Sequence, residues 1–327
     1  MTGTRRTVRT GIDLGTTSVK LVRGIGNGHL ERVTHLGLEP LAGGGTGTDD
    51  AAAASAAALR RLLERLNLKT TSLGQLAVAV GGPEVACREV LTAAMSEDTM
   101  ARALPFEARK HLDLENMAAP VLDYQVLGEA EEASASGAAQ VRVLFAAAPR
   151  AVRDFPVEVL RQAGLEPDVV DLEPLAALNA VAAAEVGAGS EQQAVGLLDL
   201  GSARAVLHLW SRAGGLLSRQ VGPGAPATAP ADSGTAYGEA LTPSVLETTI
   251  FFRGRHRRPV ARLYLSGGGA GLPGVRQALE HALDLPVVVF DPLLGLNIDT
   301  GGCADAAAGT SRFVTACGLC RWWDADS

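Results

Sequence analysis

The chain has 327 residues, 47% of them hydrophobic, with a formal charge of −7 and a pI near 5.4. That length and apolar content suffice for two packed lobes. The acidic balance excludes a general nucleic-acid binder, because neutralising phosphates takes a clustered excess of Lys and Arg. Lysine occurs only at Lys20, Lys69 and Lys110. No run approaches the ~20 apolar residues that cross a bilayer, and the N-terminal stretch turns polar where a signal peptide needs its apolar segment, so a cytoplasmic protein is expected. Four cysteines (Cys87, Cys303, Cys317, Cys320) are too few for a secreted disulfide framework, and reduced thiols are expected.

In chain order, the patterns predict strands at Val8–Leu14, Ser18–Gly24 and Leu30–Leu38, then a Gly/Thr loop at Gly43–Thr48. A helix over Ala51–Leu66 and a strand over Gln75–Val80 complete a βββαβ order. The small polar stretch Ser134–Gln140 reads as a hairpin tip or loop, followed by a strand at Val141–Ala148 and a helix near Val152–Gln162 capped by Gly164. From Ala194 the pattern recurs: strands at Val195–Leu200, Ala205–Trp210 and Leu216–Val221, and a helix over Pro243–Phe252. After these come a strand at Ala261–Leu265, a helix at Val275–Leu283, a strand at Val287–Phe290 and a terminal helix over Ala304–Trp323. Two copies of βββαβα imply two lobes, each burying one sheet against helices, with a cleft between them.

Each copy opens on the same element, Ile12-Asp13-Leu14-Gly15-Thr16-Thr17-Ser18 in the first and Leu198-Asp199-Leu200-Gly201-Ser202-Ala203 in the second. A strand-end carboxylate followed by Gly and hydroxyl residues makes a tight hairpin. Its backbone N–H groups can hold an anion while the Asp reaches a hydrated divalent cation. One such hairpin alone is most often only a chain reversal. A third element, Leu263-Tyr264-Leu265-Ser266-Gly267-Gly268-Gly269-Ala270, runs a strand into three glycines that let backbone approach a ligand closely. The three together, in this order, form a far more specific signal than any one.

These elements resemble the actin, sugar-kinase and heat-shock ATPase superfamily, and more closely the PilM family, a cousin of the cell-division protein FtsA. The closer resemblance rests on Gly11-Ile12-Asp13-Leu14-Gly15-Thr16-Thr17-Ser18-Val19-Lys20, and on Leu104-Pro105-Phe106-Glu107 with Leu122-Asp123-Tyr124-Gln125-Val126-Leu127. It rests also on Ala163–Pro167 through Leu172–Ala176, and on Leu265–Leu272. It spans nearly the whole chain and implies an α/β, two-lobed actin-like fold. Lobe 1 would cover residues 1–172, with an inserted subdomain at about 82–130. Lobe 2 would cover 173–327, with a linking helix at 173–187 and a C-terminal helix at 304–323.

The resemblance also implies a site. Asp13, Gly15, Thr16, Thr17, Ser18 and Lys20 match the first phosphate loop, Asp199, Gly201 and Ser202 the second, and Gly267, Gly268 and Gly269 the nucleoside loop. ATP with Mg is the implied cofactor, the metal held by Asp13 and Asp199 through water. Glu173 falls where the superfamily's linking helix presents a polar residue toward the attacking water; the alternative is a helix-start carboxylate beside Pro174, favourable to the helix dipole. Pro105, Phe106 and Tyr124 are the implied contacts for the cytoplasmic tail of a PilN-like inner-membrane partner.

Two departures bear on activity. Between Val221 and Ala261 relatives hold several helices of an outer subdomain, whereas this chain has a Pro/Ala/Gly-rich loop at Gly222–Gly234 and one helix, so one wall of the adenosine pocket is trimmed. The second hairpin carries Ala203-Arg204 in place of further hydroxyls. Both point to weak nucleotide binding or lost hydrolysis: at most a weak ATPase, or a pseudo-ATPase. A nucleotide-responsive scaffold, a nucleotide-free scaffold, a small-molecule kinase of the same fold and a filament former are therefore the functions to separate. The kinase needs a positioned base and a walled acceptor pocket, and no segment supplies both. Cys317 and Cys320 read as structural thiols sharing one helix face. Arg253–Arg258 reads as a solvated helix end or a contact for acidic lipid or an acidic partner, and Trp322-Trp323 as packing or exposed contact.

Overall fold

The computed structural model describes residues 6–42, 48–130, 139–185, 193–226 and 233–321. Parts of the loops read at Gly43–Thr48, Ser134–Gln140 and Gly222–Gly234, and Trp322-Trp323, lie outside the described residues.

The first repeat is a meander of β1 (Thr7–Leu14), β2 (Ser18–Gly26) and β3 (Leu30–Pro40), then α1 (Thr48–Arg65) and β4 (Gln75–Val80), closing with α3 (Arg150–Gln162) and β8 (Val169–Leu172). Helix α1 presents Ala52, Ala56, Leu59 and Leu63, a stripe of period near 3.6, to Ile12, Val19, Leu21 and Val78 of the sheet. The second repeat consists of β9 (Ala194–Leu200), β10 (Arg204–Trp210), β11 (Leu216–Pro223), α5 (Ser233–His256), β12 (Val260–Ser266), α6 (Val275–Leu283) and β13 (Val287–Val289). Both sheets share one topology. β1 lies between antiparallel β2 and parallel β4, and β9 between antiparallel β10 and parallel β12. The strand carrying each Asp is therefore central in its sheet.

Helix α5 runs 24 residues, well beyond the expected Pro243–Phe252, with Pro243 inside it. Its buried stripe of Tyr237, Leu241, Val245, Thr248 and Phe252 explains the length, since tertiary burial overrides the local cost of proline. Among the described residues this one helix stands between β11 and β12.

The insertion is larger than expected. β5 (Ala86–Ala93), α2 (Glu97–His111), β6 (Pro120–Glu129) and β7 (Gln140–Pro149) form a three-stranded sheet in the order β5-β7-β6. The strand read at Val141–Ala148 is thus the insertion's central strand, and the insertion ends near 149 rather than 130. Val143, Phe145 and Ala147 alternate onto a cluster with Val90, Met100, Ala108 and Leu112, which gives the subdomain its own core.

The C-terminal segment also departs from expectation. Instead of one helix over Ala304–Trp323, two 3-10 turns (Ala304–Ala308 and Thr310–Phe313) precede the short α7 (Val314–Cys320). Gly309, at φ +110°, interrupts the helical path between the turns. The segment was expected with the second lobe, yet β14 (Asn297–Ile298) pairs with β3 at the edge of the first sheet. Phe313, Ala316, Cys317 and Cys320 pack there on Val22, Leu30, Val33 and Leu36, an apolar face this segment covers. Both thiols are buried, against the carbonyls of Pro292 and Arg9, as structural cysteines.

α4 (Glu173–Ala184) joins the repeats. Its Ala176 packs with Ala77 of the first sheet and Leu319 of α7, and its Ala177, Ala180 and Val181 pack with Val195 and Leu197 of the second sheet. α4 and α7 approach so closely that a Cβ at Gly318 would lie 1.6 Å from the Ala176 carbonyl oxygen. The apolar α4 thus fixes Glu173, its first residue, where the lobes meet.

Candidate functional site

Both expected hairpins form, and they meet. In the β1–β2 turn the Gly15 N–H donates to the Ser18 carbonyl at 3.0 Å, which leaves Thr16 and Thr17 exposed at the tip while the Ser18 side chain is buried. In the β9–β10 turn, Ser202 is exposed and the Gly201 carbonyl accepts the Ala225 N–H at 2.8 Å. The tips touch across the cleft: Thr16 Oγ1 lies 2.7 Å and Thr17 Oγ1 3.3 Å from Ser202 Oγ.

Behind the tips lies a compact set of charges. Asp13 and Lys20 face each other in the β1–β2 register, and Lys20 Nζ donates to Asp13 Oδ2 at 2.7 Å. Burial works to lower the Lys20 pKa, but Asp13, with Asp199 and Glu173 behind it, outweighs burial and raises it, so the ammonium stays charged. Asp199, opposite Ser266 in the β9–β12 register, accepts the Ser266 hydroxyl at 2.8 Å. Burial nonetheless pushes its pKa up, while Ser266, Lys20 and Arg204 pull against that.

Arg204, at the start of β10, donates to the Glu173 carboxylate at the start of α4, an ion pair that ties the second hairpin to the linking helix. Burial raises the Glu173 pKa to about 7; Arg204 and Lys20 oppose the rise, while Asp199 and Asp13 add to it. The sequence patterns did not select Gly81, yet the carboxylate lies directly over it. A Cβ at Gly81 would come within 1.6 Å of Glu173 Oε2. The Gly81-Gly82 pair at the end of a strand was the available signal, and Arg204, noted only as a departure, is the other member missed.

The three glycines after β12 are not equivalent. Gly267 has φ +81°, and a Cβ there would lie 2.6 Å from the Leu200 carbonyl oxygen; a Cβ at Gly269 would lie 2.5 Å from Ala225 Cβ. These two are required by packing against the second hairpin. Gly268 is exposed, with nothing within 4 Å of a Cβ.

The donor set suits a phosphate chain with a hydrated divalent cation. It combines two strand-end carboxylates, a charged Lys, an Arg and three hydroxyls at the tips. Among the described residues no three His, Cys, Asp or Glu side chains gather closely enough to hold a metal ion.

The expected partner residues separate. Phe106 is 64% exposed on α2 beside exposed Pro105, with the Arg109 guanidinium 5.7 Å from its ring centroid. Tyr124 faces Phe145 on β7 and packs, partly buried, on the subdomain core.

The PilM–PilN type IV pilus biogenesis complex contains a chain similar to this one, with 23% identity and a TM-score of 0.72, covering 95% of this chain and 97% of that one. A diol dehydratase-reactivating factor in nucleotide-free form matches with 8% identity and a TM-score of 0.50, covering 96% of this chain and 99% of that one. The two-lobed actin-like fold is thus shared over nearly the full length. A sequence model of the family "Type IV pilus assembly protein PilM" matches residues 11–224, which include both hairpins and the insertion, and the chain belongs to that family.

Proposed function

We propose that this chain is the cytoplasmic scaffold of a type IV pilus assembly complex at the inner face of the inner membrane. Its inserted subdomain binds the cytoplasmic tail of a PilN-like membrane protein, and ATP with Mg biases that binding. The observation that carries this reading is a contact far from the cleft. Glu89 Oε2 on β5 accepts the Gly215 N–H of the β10–β11 turn at 3.0 Å, with Arg142 of β7 also bound to Glu89. The partner-bearing subdomain is therefore attached to the second lobe, so any change in lobe closure moves the surface around Phe106. A ligand that binds one lobe arrangement better than another then changes tail affinity by the same differential free energy.

In this reading Thr16, Thr17, Ser202 and Lys20 would hold the phosphates, Asp13 and Asp199 would hold the hydrated metal, and Gly268 would lie on the nucleoside side. The nucleotide supplies a phosphoryl group and its metal charge. Glu173, its pKa raised by burial to about 7, would orient a water in the cleft and take up its proton. The direct Thr16–Ser202 contact and the Arg204–Glu173 pair favour a second reading, in which the cleft is self-satisfied and the scaffold works without nucleotide.

Titration calorimetry of ATP–Mg into the purified chain, followed by tail-peptide binding with and without nucleotide, separates the two. Micromolar ATP binding that shifts peptide affinity supports gating; peptide binding with no ATP heat and an unchanged melting temperature supports the nucleotide-free scaffold. Absence of peptide binding under both conditions overturns the partner assignment.

A further inference from the structure

The basic run Arg253–Arg258 takes no part in the site. It ends α5, where Phe252 is fully buried and stacks near His256 at 4.5 Å between ring centroids, which anchors the helix end on the second lobe. One turn earlier Ile250 and Phe251 are 57% and 51% exposed, and Arg253, Arg255 and Arg257 around them are exposed. The nearby ion pairs, Arg219 with Glu247 and Arg262 with Glu185, leave Arg253, Arg255 and Arg257 without a carboxylate partner among the described residues. The turn that carries exposed Arg212 brings Gly215 against His256 and Phe252.

A chain of charge −7 thus gathers three exposed arginines within five residues, Arg253, Arg255 and Arg257, around two large apolar side chains held in water. We infer that this end of α5 docks on an anionic lipid surface, with Ile250 and Phe251 entering the headgroup boundary and the arginines engaging lipid phosphates. A purely acidic peptide would pair with the arginines and leave Ile250 and Phe251 wet, whereas an anionic interface accepts both kinds of group. No helix among the described residues is long and apolar enough to cross a membrane. The Glu89–Gly215 contact sets this helix end beside the inserted subdomain. The inference stands on the arginines and the apolar pair, and holds whether or not the cleft binds nucleotide.

The test is co-sedimentation of the purified full chain, without nucleotide or partner, with phosphatidylcholine vesicles that either contain or lack phosphatidylglycerol. Binding to the anionic vesicles only, weakened by added salt, is expected. Arg253→Gln and Arg255→Gln should each weaken it roughly fivefold, and Phe251→Ser should weaken it with little change in salt dependence. All three side chains are exposed, and an unchanged melting temperature confirms that each variant is folded. Failure to bind anionic vesicles, equal binding to neutral ones, unaltered binding by the arginine variants, or capture of polyglutamate in preference to vesicles would each overturn the inference.

Discussion

The hydroxyl oxygens of Thr16 and Ser202 stand 2.7 Å apart although 186 residues separate them in sequence. A phosphate taken between the hairpins must part them, and Asp13 behind the first tip is the carboxylate we propose for its hydrated metal. Asp13→Ala is expected to abolish ATP–Mg binding in calorimetry while preserving a cooperative melting transition, because Asp13 ends a strand at the cleft and lies outside the apolar clusters. Unchanged nucleotide affinity in this variant would sink the phosphate-loop assignment.

Glu173 makes stability depend on pH in a defined direction. Its pKa rises from 4.5 to about 7 on folding, chiefly through burial, so within that window the folded state holds a proton that the unfolded chain has released. The stability that Glu173 contributes therefore falls as pH increases from 4.5 to about 7. Glu173→Gln should remove that slope and gain about 1–3 kcal/mol at pH 8 relative to pH 4.5, measured by urea unfolding. Asp171, raised by burial to about 6, leaves a smaller slope of the same sign in the variant.

His208 acts with the opposite sign. Buried and hydrogen-bonded to Ser218 Oγ at 2.8 Å, it has its pKa lowered by burial, and by Arg204, from 6.5 to about 4. The stability it contributes is complete above pH 6.5 and is lost as pH falls through about 4. Acid unfolding monitored by circular dichroism should shift to lower pH in His208→Gln, provided that the uncharged amide keeps the Ser218 bond; an unmoved midpoint assigns acid unfolding elsewhere.

Adjacent glycines should respond differently. Gly267→Ala forces a side chain into φ +81° and against the Leu200 carbonyl, and should cost about 2–4 kcal/mol. Gly268→Ala enters open space and should change stability by less than about 1 kcal/mol. Equal losses would show that the turn is not held by packing against the second hairpin.

Phe106 and Tyr124 separate recognition from packing. Phe106→Ala should leave the melting temperature unchanged and weaken tail-peptide binding at least about tenfold, as expected for an exposed aromatic anchor. Tyr124→Ala should destabilise the inserted subdomain by about 1–3 kcal/mol, because its ring packs on the Val143–Phe145 core. If Phe106→Ala binds the peptide normally, the tail sits elsewhere.

Local signals were enough to read the duplicated architecture and both Asp hairpins. Strand alternation, α1's apolar stripe and Asp-x-Gly turns are encoded within a few residues, and the structure places those elements within two or three residues of expectation. What lies far apart in sequence had no such signature. That β7 completes the insertion, that α5 extends through Pro243 and that the C-terminal segment returns to the first sheet are each settled by which apolar faces need covering. The Arg204–Glu173 pair over Gly81, and the contact of Thr16 with Ser202, depend on how α4 and α7 pack the lobes together. The sequence by itself determined the parts of the site; only the tertiary structure decided that they meet, because burial across the lobe boundary sets distances that no local pattern encodes.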